Sequence, residues 1–285
     1  MLDRQGRIKM LEIQNKDLSL RTQCNLLELN RSGLYYKPVI NDDSSLANMI
    51  SDIYLKSDCR YGYRKITSAL KAEYNIDANH KKILKMMNEM GIEGIYPRKF
   101  IKTTVKNKTQ NNIYPYLLKN ITINHPNQVW ATDITYIKLP ERFMYFTAII
   151  DLYSRYIVAH ELSGSLAVNF CIDTLNTALL KGNPIIFNTD QGSQFTSNEF
   201  IQILKNANIQ ISMDHKGRCF DNIFIERLWR TLKQESIYFY RPETITELDQ
   251  CIDAFVDWYN NDRLHQALNY KTPKSIYYAI NNIVH

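Results

Sequence analysis

The sequence predicts an α/β protein, a mixed sheet flanked by helices and preceded by small all-α segments. Three observations predict it. Up to Gly91 apolar residues recur at helical spacing; from Val129 to Ser163 they alternate as strands do; beyond that, helical and strand-like runs take turns.

Composition narrows the class. The 285 residues are enough for two or three domains with at least one sizeable core. No apolar run is long enough to span a bilayer and Met1-Leu-Asp-Arg-Gln is no secretory leader, so a soluble protein of the cytoplasm is expected, with no membrane partner. The five cysteines (Cys24, Cys59, Cys171, Cys219, Cys251) are scattered and lack CxxC spacing, which reads as free thiols and not as a disulfide frame or a zinc site. Net charge is +6 but uneven: residues 1–128 hold 21 Lys and Arg against 12 Asp and Glu (+9), and residues 129–285 hold 14 against 17 (−3). A basic front suits nucleic acid, and an acidic back suits metal-carboxylate chemistry; ordinary solvated surface gives the same asymmetry.

Leu20, Leu26 and Leu27 suit a first short helix, and Asn30 or Ser32 can cap a second that ends before Pro38. This pair reads as a helix-turn-helix candidate with Arg31, Tyr35, Tyr36 and Lys37 available to DNA, or equally as a helical hairpin that packs on a partner. A three-helix unit follows. Asp43-Ser44 caps a helix to about Lys56, a second ends near Tyr74, and a third runs from Ala78 to Met90 and closes at Gly91. Tyr61, Tyr63, Arg64 and Lys65 gather at one helix start, and His80, Lys81, Lys82 and Lys85 at another. Aromatic rings among cations suit phosphate and base contacts, although Tyr61 and Tyr63 also suit a core. Lys102 to Lys119 is aperiodic and rich in Lys and Asn, as an exposed basic linker would be.

VWATDITYIKL, RFMYFTAIIDLYSR and YIVAHELS read as strands. A helix over Ala167–Lys181, a strand at Ile185–Asn188, a helix near Asn198–Lys205 and the strand IQISMD follow. Three carboxylates then attract attention. Asp190 stands just past the end of a buried strand, where open α/β sheets bind ligands. Asp133 shares a strand face with Val129, Ala131 and Ile137, a costly place for a carboxylate that is neither paired nor metal-bound. Glu226 lies in a helical segment whose apolar side carries Phe224, Leu228 and Leu232, with Arg230 and Lys233 at i+4 and i+7. The bland readings are a turn residue for Asp190 and a solvated pair for Glu226 with Arg230. Near the end, Leu248, Ile252, Phe255, Val256 and Tyr259 mark a helix with one apolar face, and His265 after it reads as structural.

With these acids in place the chain resembles insertion-sequence transposases of the retroviral-integrase superfamily, in particular the second-frame product of elements with two overlapping reading frames. The matching text is WATDITYI, IIDLYSRYIV, NTDQGSQF, the block from Lys216 to Glu235, and WYNNDRLHQALNYKTP. Thirty-five residues separate Asp190 from Glu226, the spacing of that family. NRSGLYYKP and YGYRKI fit its helical DNA-binding segments more loosely. Departures are Asn188-Thr189 for a frequent His-Ser, Arg142 for a turn Gly, and Ala159-His160 for Gly-Trp; no His/His/Cys/Cys zinc domain is evident.

The resemblance implies a ribonuclease-H-like core and an Asp133, Asp190 and Glu226 triad holding Mg2+ or Mn2+, as two ions. It implies metal-dependent 3′-end cleavage and strand transfer without a covalent protein intermediate. Arg230 and Lys233 take positions where relatives contact DNA, and Asp151 is read as structural, paired with Arg155. The expected divisions are 1–40 helix-turn-helix-like, 43–101 three-helix DNA-binding-like, 102–123 basic linker, 124–240 catalytic core and 241–285 a C-terminal helical extension. The expected partners are element-end and target DNA, further copies of this chain on that DNA, and a first-frame protein or a fusion with it, in a bacterial cytoplasm at the nucleoid. Two rivals are a structure-specific nuclease on the same fold and a DNA-binding regulator with an inert core.

Overall fold

The computed structural model describes residues 4–15, 17–35, 43–95, 113–214 and 223–279. Met1–Asn48 and Met49–His285 form two compact units. In the first, α1 (Arg4–Lys9) and α2 (Leu20–Leu26) are followed by a 3-10 turn at Arg31–Leu34. Asn30 caps that turn as its sequence suggests, its Oδ1 accepting from the Ser32 N–H at 3.1 Å. The expected second helix is therefore this single turn, and Tyr36 and Lys37 lie outside the described residues. The buried Gln23 amide ties the segment together, donating to the carbonyls of Glu12 and Leu18 at 2.9 Å each and accepting from the Glu12 N–H.

The three-helix expectation holds as α3 (Ser44–Lys56), α4 (Tyr63–Tyr74) and α5 (His80–Glu89). Ile50, Ile53, Ile66, Leu70, Ile83 and Met87 form their buried faces at helical spacing. Gly91 adopts φ 69°, the left-handed conformation that closes a helix and that a glycine takes without strain. From Met49 onward these helices belong to the same compact unit as the sheet. Tyr61 is one reason: its hydroxyl donates to the Asp262 carbonyl at 3.0 Å and accepts from the Leu264 N–H at 3.2 Å. The Arg60 guanidinium lies 4.3 Å over the Trp258 ring. Much of the expected linker lies outside the described residues. Its described end is not an open tether, because Leu117 and Leu118 pack on the core and the Leu117 N–H donates to Ser212 Oγ at 3.0 Å.

Among the described residues one sheet of order β3-β2-β1-β4-β5 is formed by β1 (Val129–Lys138), β2 (Phe143–Asp151), β3 (Ile157–Ser163), β4 (Ile186–Thr189) and β5 (Gln210–Met213). The first three strands are antiparallel, and β4 and β5 run parallel to β1. On one face Trp130, Ile149 and Phe187 meet α6 (Val168–Leu179) and α7 (Asn198–Asn206). On the other, Val129, Ala131, Ile137 and Phe146 meet α8 (Ile223–Leu232) and α10 (Ile245–Asn261). Strand alternation thus feeds two cores at once. Between α8 and α10 run a π-helical turn, Lys233–Ile237, and the short α9 (Tyr238–Tyr240); α11 (Pro273–Tyr277) comes last. The architecture is the ribonuclease-H-like one. No helix among the described residues is long and apolar enough to cross a membrane. Cys24, Cys59, Cys171 and Cys251 are free thiols, and Cys219 lies outside the described residues.

Candidate active site

Parallel pairing places Val129 opposite Ile186 and Ala131 opposite Asn188. Two residues further along both chains, Asp133 and Asp190 come level on the face that α8 covers. Asp190 stands where β4 has ended, and its Oδ1 accepts from the Gly192 N–H at 2.9 Å. A Cβ on Gly192 would sit 2.9 Å from that same oxygen, so only glycine lets the backbone approach so closely. From above, the Trp229 indole N–H donates to Asp133 Oδ2 at 2.9 Å. Glu226 lies one turn earlier on α8 with its side chain exposed.

Electrostatics tie the three acids together. Burial pushes the Asp133 carboxyl up to about 7; Asp190 adds to the rise, the Trp229 and backbone hydrogen bonds oppose it, and Glu226 raises it further. Burial likewise raises Asp190, against the Gly192 hydrogen bond. Lys233, half-buried at the start of the π-helical turn, has its pKa lowered by burial and partly restored by Asp133.

As they stand, no three His, Cys, Asp or Glu side chains among the described residues are grouped to hold a metal ion. The donor chemistry nevertheless suits a hard divalent cation, being all carboxylate with no His or Cys in the set. Unneutralised carboxylates repel one another, and a cation would relieve the burden on Asp133.

The other expected contacts divide. Arg64, Lys81, Arg230 and Arg31 are exposed, while Tyr63, Lys82 and Lys233 are half-buried, with Tyr63 stacked 6.0 Å from His80. Lys65 is half-buried. Its pKa falls to about 8 through burial and then the charge of Arg263, with Glu235 working the other way. Its ammonium lies 5.0 Å over the Tyr61 ring. Glu235 and Arg263 form a bidentate pair at 2.8 and 2.9 Å that sequence reading missed, because the partners come from separate elements. Asp151 is structural as expected, though its oxygens take the Ser154 N–H and hydroxyl and the Asn127 N–H, while Arg155 stacks 3.6 Å over Phe224. His265 is structural too, its pKa lowered by burial to about 2. Asp214, also unforeseen, anchors the end of β4: its N–H donates to the Thr189 carbonyl and its Oδ1 accepts from buried Asn188 at 3.1 Å.

Family models described as integrase core domain match residues 123–219 and 207–273, and one described as HTH-like domain matches residues 41–100. A transposase for insertion sequence element IS904 of Lactococcus lactis is 33% identical over 80% of this chain and 92% of its own. The chain belongs to the insertion-sequence transposases. A second member, the transposase for IS629 of Shigella sonnei, is 29% identical over 84% of this chain and 82% of its own. Among solved structures, a simian T-cell lymphotropic virus intasome complexed with a PP2A regulatory subunit matches with a TM-score of 0.50 at 18% identity, covering 80% of this chain and 74% of that one. That likeness supports the fold of this transposase and nothing finer.

Proposed function

We propose that this transposase cuts DNA and joins the freed end to a second strand, with Asp133, Asp190 and Glu226 holding two Mg2+ or Mn2+ ions. What supports this reading is electrostatic: Asp190, from the end of β4, and Glu226, from α8, both raise the pKa of Asp133 on β1. When bound, such ions supply Lewis-acid stabilisation of the attacking and leaving oxygens at phosphorus. The chain's own part is to fix the acids. Trp229 orients Asp133, Gly192 orients Asp190, and the rigid α8 carries Glu226. Lys233 adds a cation beside Asp133, suited to a phosphate oxygen. Water attacks one phosphodiester and frees a 3′-hydroxyl. That hydroxyl then attacks a second strand, one ester bond forming as another breaks.

Arg31, Tyr63, Arg64, Lys65, Lys81, Lys82, Arg230 and Lys233 are the proposed DNA contacts. The proposed assembly is several copies on element-end and target DNA, with a first-frame protein, in the bacterial cytoplasm at the nucleoid. A strand-transfer assay tests the reading: a labelled oligonucleotide with a free 3′-hydroxyl should become joined to plasmid DNA in Mn2+. Nicking without joining would make the chain a nuclease on this fold.

A further inference from the structure

Asp190 stands where the sheet runs out. The parallel ladder between β4 and β5 ends at the pair Thr189 and Met213, one residue short of it. The residue after β5, Asp214, nevertheless reaches across on both sides of Asp190. Its N–H donates to the Thr189 carbonyl at 2.9 Å, and its carbonyl accepts from Nε2 of the Gln191 side-chain amide at 3.0 Å. In a parallel ladder one residue bonds the two neighbours of its partner, one through its N–H and one through its C=O. Asp214 makes that pair of bonds around Asp190, with the Gln191 side chain standing in for a main-chain donor. The chain therefore leaves the strand at Asp190 and is still fastened beyond it. A further bond fastens the near side, where Asn188 Nδ2 donates to Asp214 Oδ1 at 3.1 Å. Asn188 is fully buried, and its Oδ1 meets no donor among the described residues. A buried amide left half-satisfied costs stability that an apolar side chain would not, so its value here lies in the donor half. Thr189 acts on the same segment, its Oγ1 donating to the Asp190 carbonyl at 2.6 Å.

We propose that Asn188, Gln191 and Asp214 are positioning residues for Asp190. They act through it, holding the turn from which its carboxylate is presented and from which the Gly192 N–H meets Oδ1 at 2.9 Å. Using Asp214 instead as a further metal-binding carboxylate would need its charge; the clamp needs only an acceptor oxygen on its side chain. The proposal rests on the reading of Asp190 as a metal ligand, and its first readout needs no metal.

Hydrogen exchange of the Gly192 amide, measured on the full chain in EDTA, tests it. Gln191→Met keeps the side-chain length and removes the donor to Asp214. Asp214→Ala removes the acceptor for Asn188. In each variant the Gly192 amide should exchange roughly 10-fold faster, as loss of one hydrogen bond implies, with the amides of Ala131 and Phe187 unchanged. The Mn2+ concentration for half-maximal stabilisation should rise by a similar factor. Asp214→Asn, which keeps an acceptor oxygen, should match wild type in both measurements. Wild-type exchange at Gly192 in either of the first two variants would overturn the proposal. So would equal acceleration at all three amides, which is a general loss of stability, or an asparagine variant that behaves like the alanine one, which makes the charge the active property. Faster exchange with an unshifted Mn2+ midpoint would also overturn it, because Asp190 would then bind metal without the clamp. If wild type gains no stability from Mn2+ while the exchange pattern holds, the metal reading of Asp190 falls and the clamp stands.

Discussion

The indole N–H of Trp229 donates to Asp133 Oδ2 at 2.9 Å, tying the helix that carries Glu226 to the strand that carries Asp133. The ring is buried and meets Phe146 edge-on at 5.5 Å, so its N–H needs an acceptor and the carboxylate supplies one. Trp229→Phe keeps most of the packing and removes the donor. Stability should fall by about 1–2 kcal/mol, and half-maximal Mn2+-induced stabilisation should require more metal. Denaturant unfolding and a Mn2+ titration of the melting temperature measure both; an unchanged titration would mean the bond does not orient Asp133.

The raised pKa of Asp133 gives a pH signature. The folded protein holds this proton more tightly than the unfolded chain, whose group has the ordinary value of 3.8. Its contribution to folding is therefore fully present below about pH 4 and is lost as the pH rises to about 7. In EDTA the melting temperature of wild type, taken relative to Asp133→Asn, should fall across that window and level off above it. A flat difference from pH 4 to 7 would place Asp133 in an ordinary environment.

Gly192→Ala should disturb Asp190 without entering the core. The added methyl would stand 2.9 Å from Asp190 Oδ1 and displace the carboxylate from the Gly192 N–H. Metal-induced stabilisation and nicking should drop at least 10-fold while melting without metal changes by only about 1 kcal/mol. Wild-type activity in this variant would show that the Asp190 position tolerates movement.

Glu235→Gln leaves Arg263 in place without its carboxylate partner. Removing one partner of such a pair costs about 3 kcal/mol, seen as a lower denaturant midpoint. The same change should raise the pKa-depressing load on Lys65, which Glu235 partly offsets. An unaltered midpoint would make the pair a surface-like contact.

Much of the site was legible before any coordinates, for reasons that differ by residue. Asp133 stood out because a carboxylate on an apolar strand face needs an explanation, and Asp190 because a buried strand stopped at it. Helical spacing put Glu226 and Arg230 one turn apart on a common face, and both are exposed. Lys233, where the π-helical turn begins, is half-buried, and Asp133 acts on its charge. Trp229, Asp214 and the Glu235–Arg263 pair were illegible because their roles depend on partners 15 or more residues away, brought close only by the fold. Leu117 and Leu118 looked like linker because two apolar residues set no period, yet the core provides a surface for both.

The central claim is that Asp190 holds metal for chemistry on DNA, and Asp190→Asn tests it most directly. The exchange keeps the shape and removes one charge and one good ligand from a group of mutually repelling acids. Without metal the variant should melt at or slightly above the wild-type temperature, because burial already disfavours the charge. With Mn2+ wild type should gain stability and nick plasmid DNA, while the variant should gain little and nick nothing, yet bind DNA as before. An Asp190→Asn protein that keeps its Mn2+-induced stabilisation and full nicking activity would contradict the assignment.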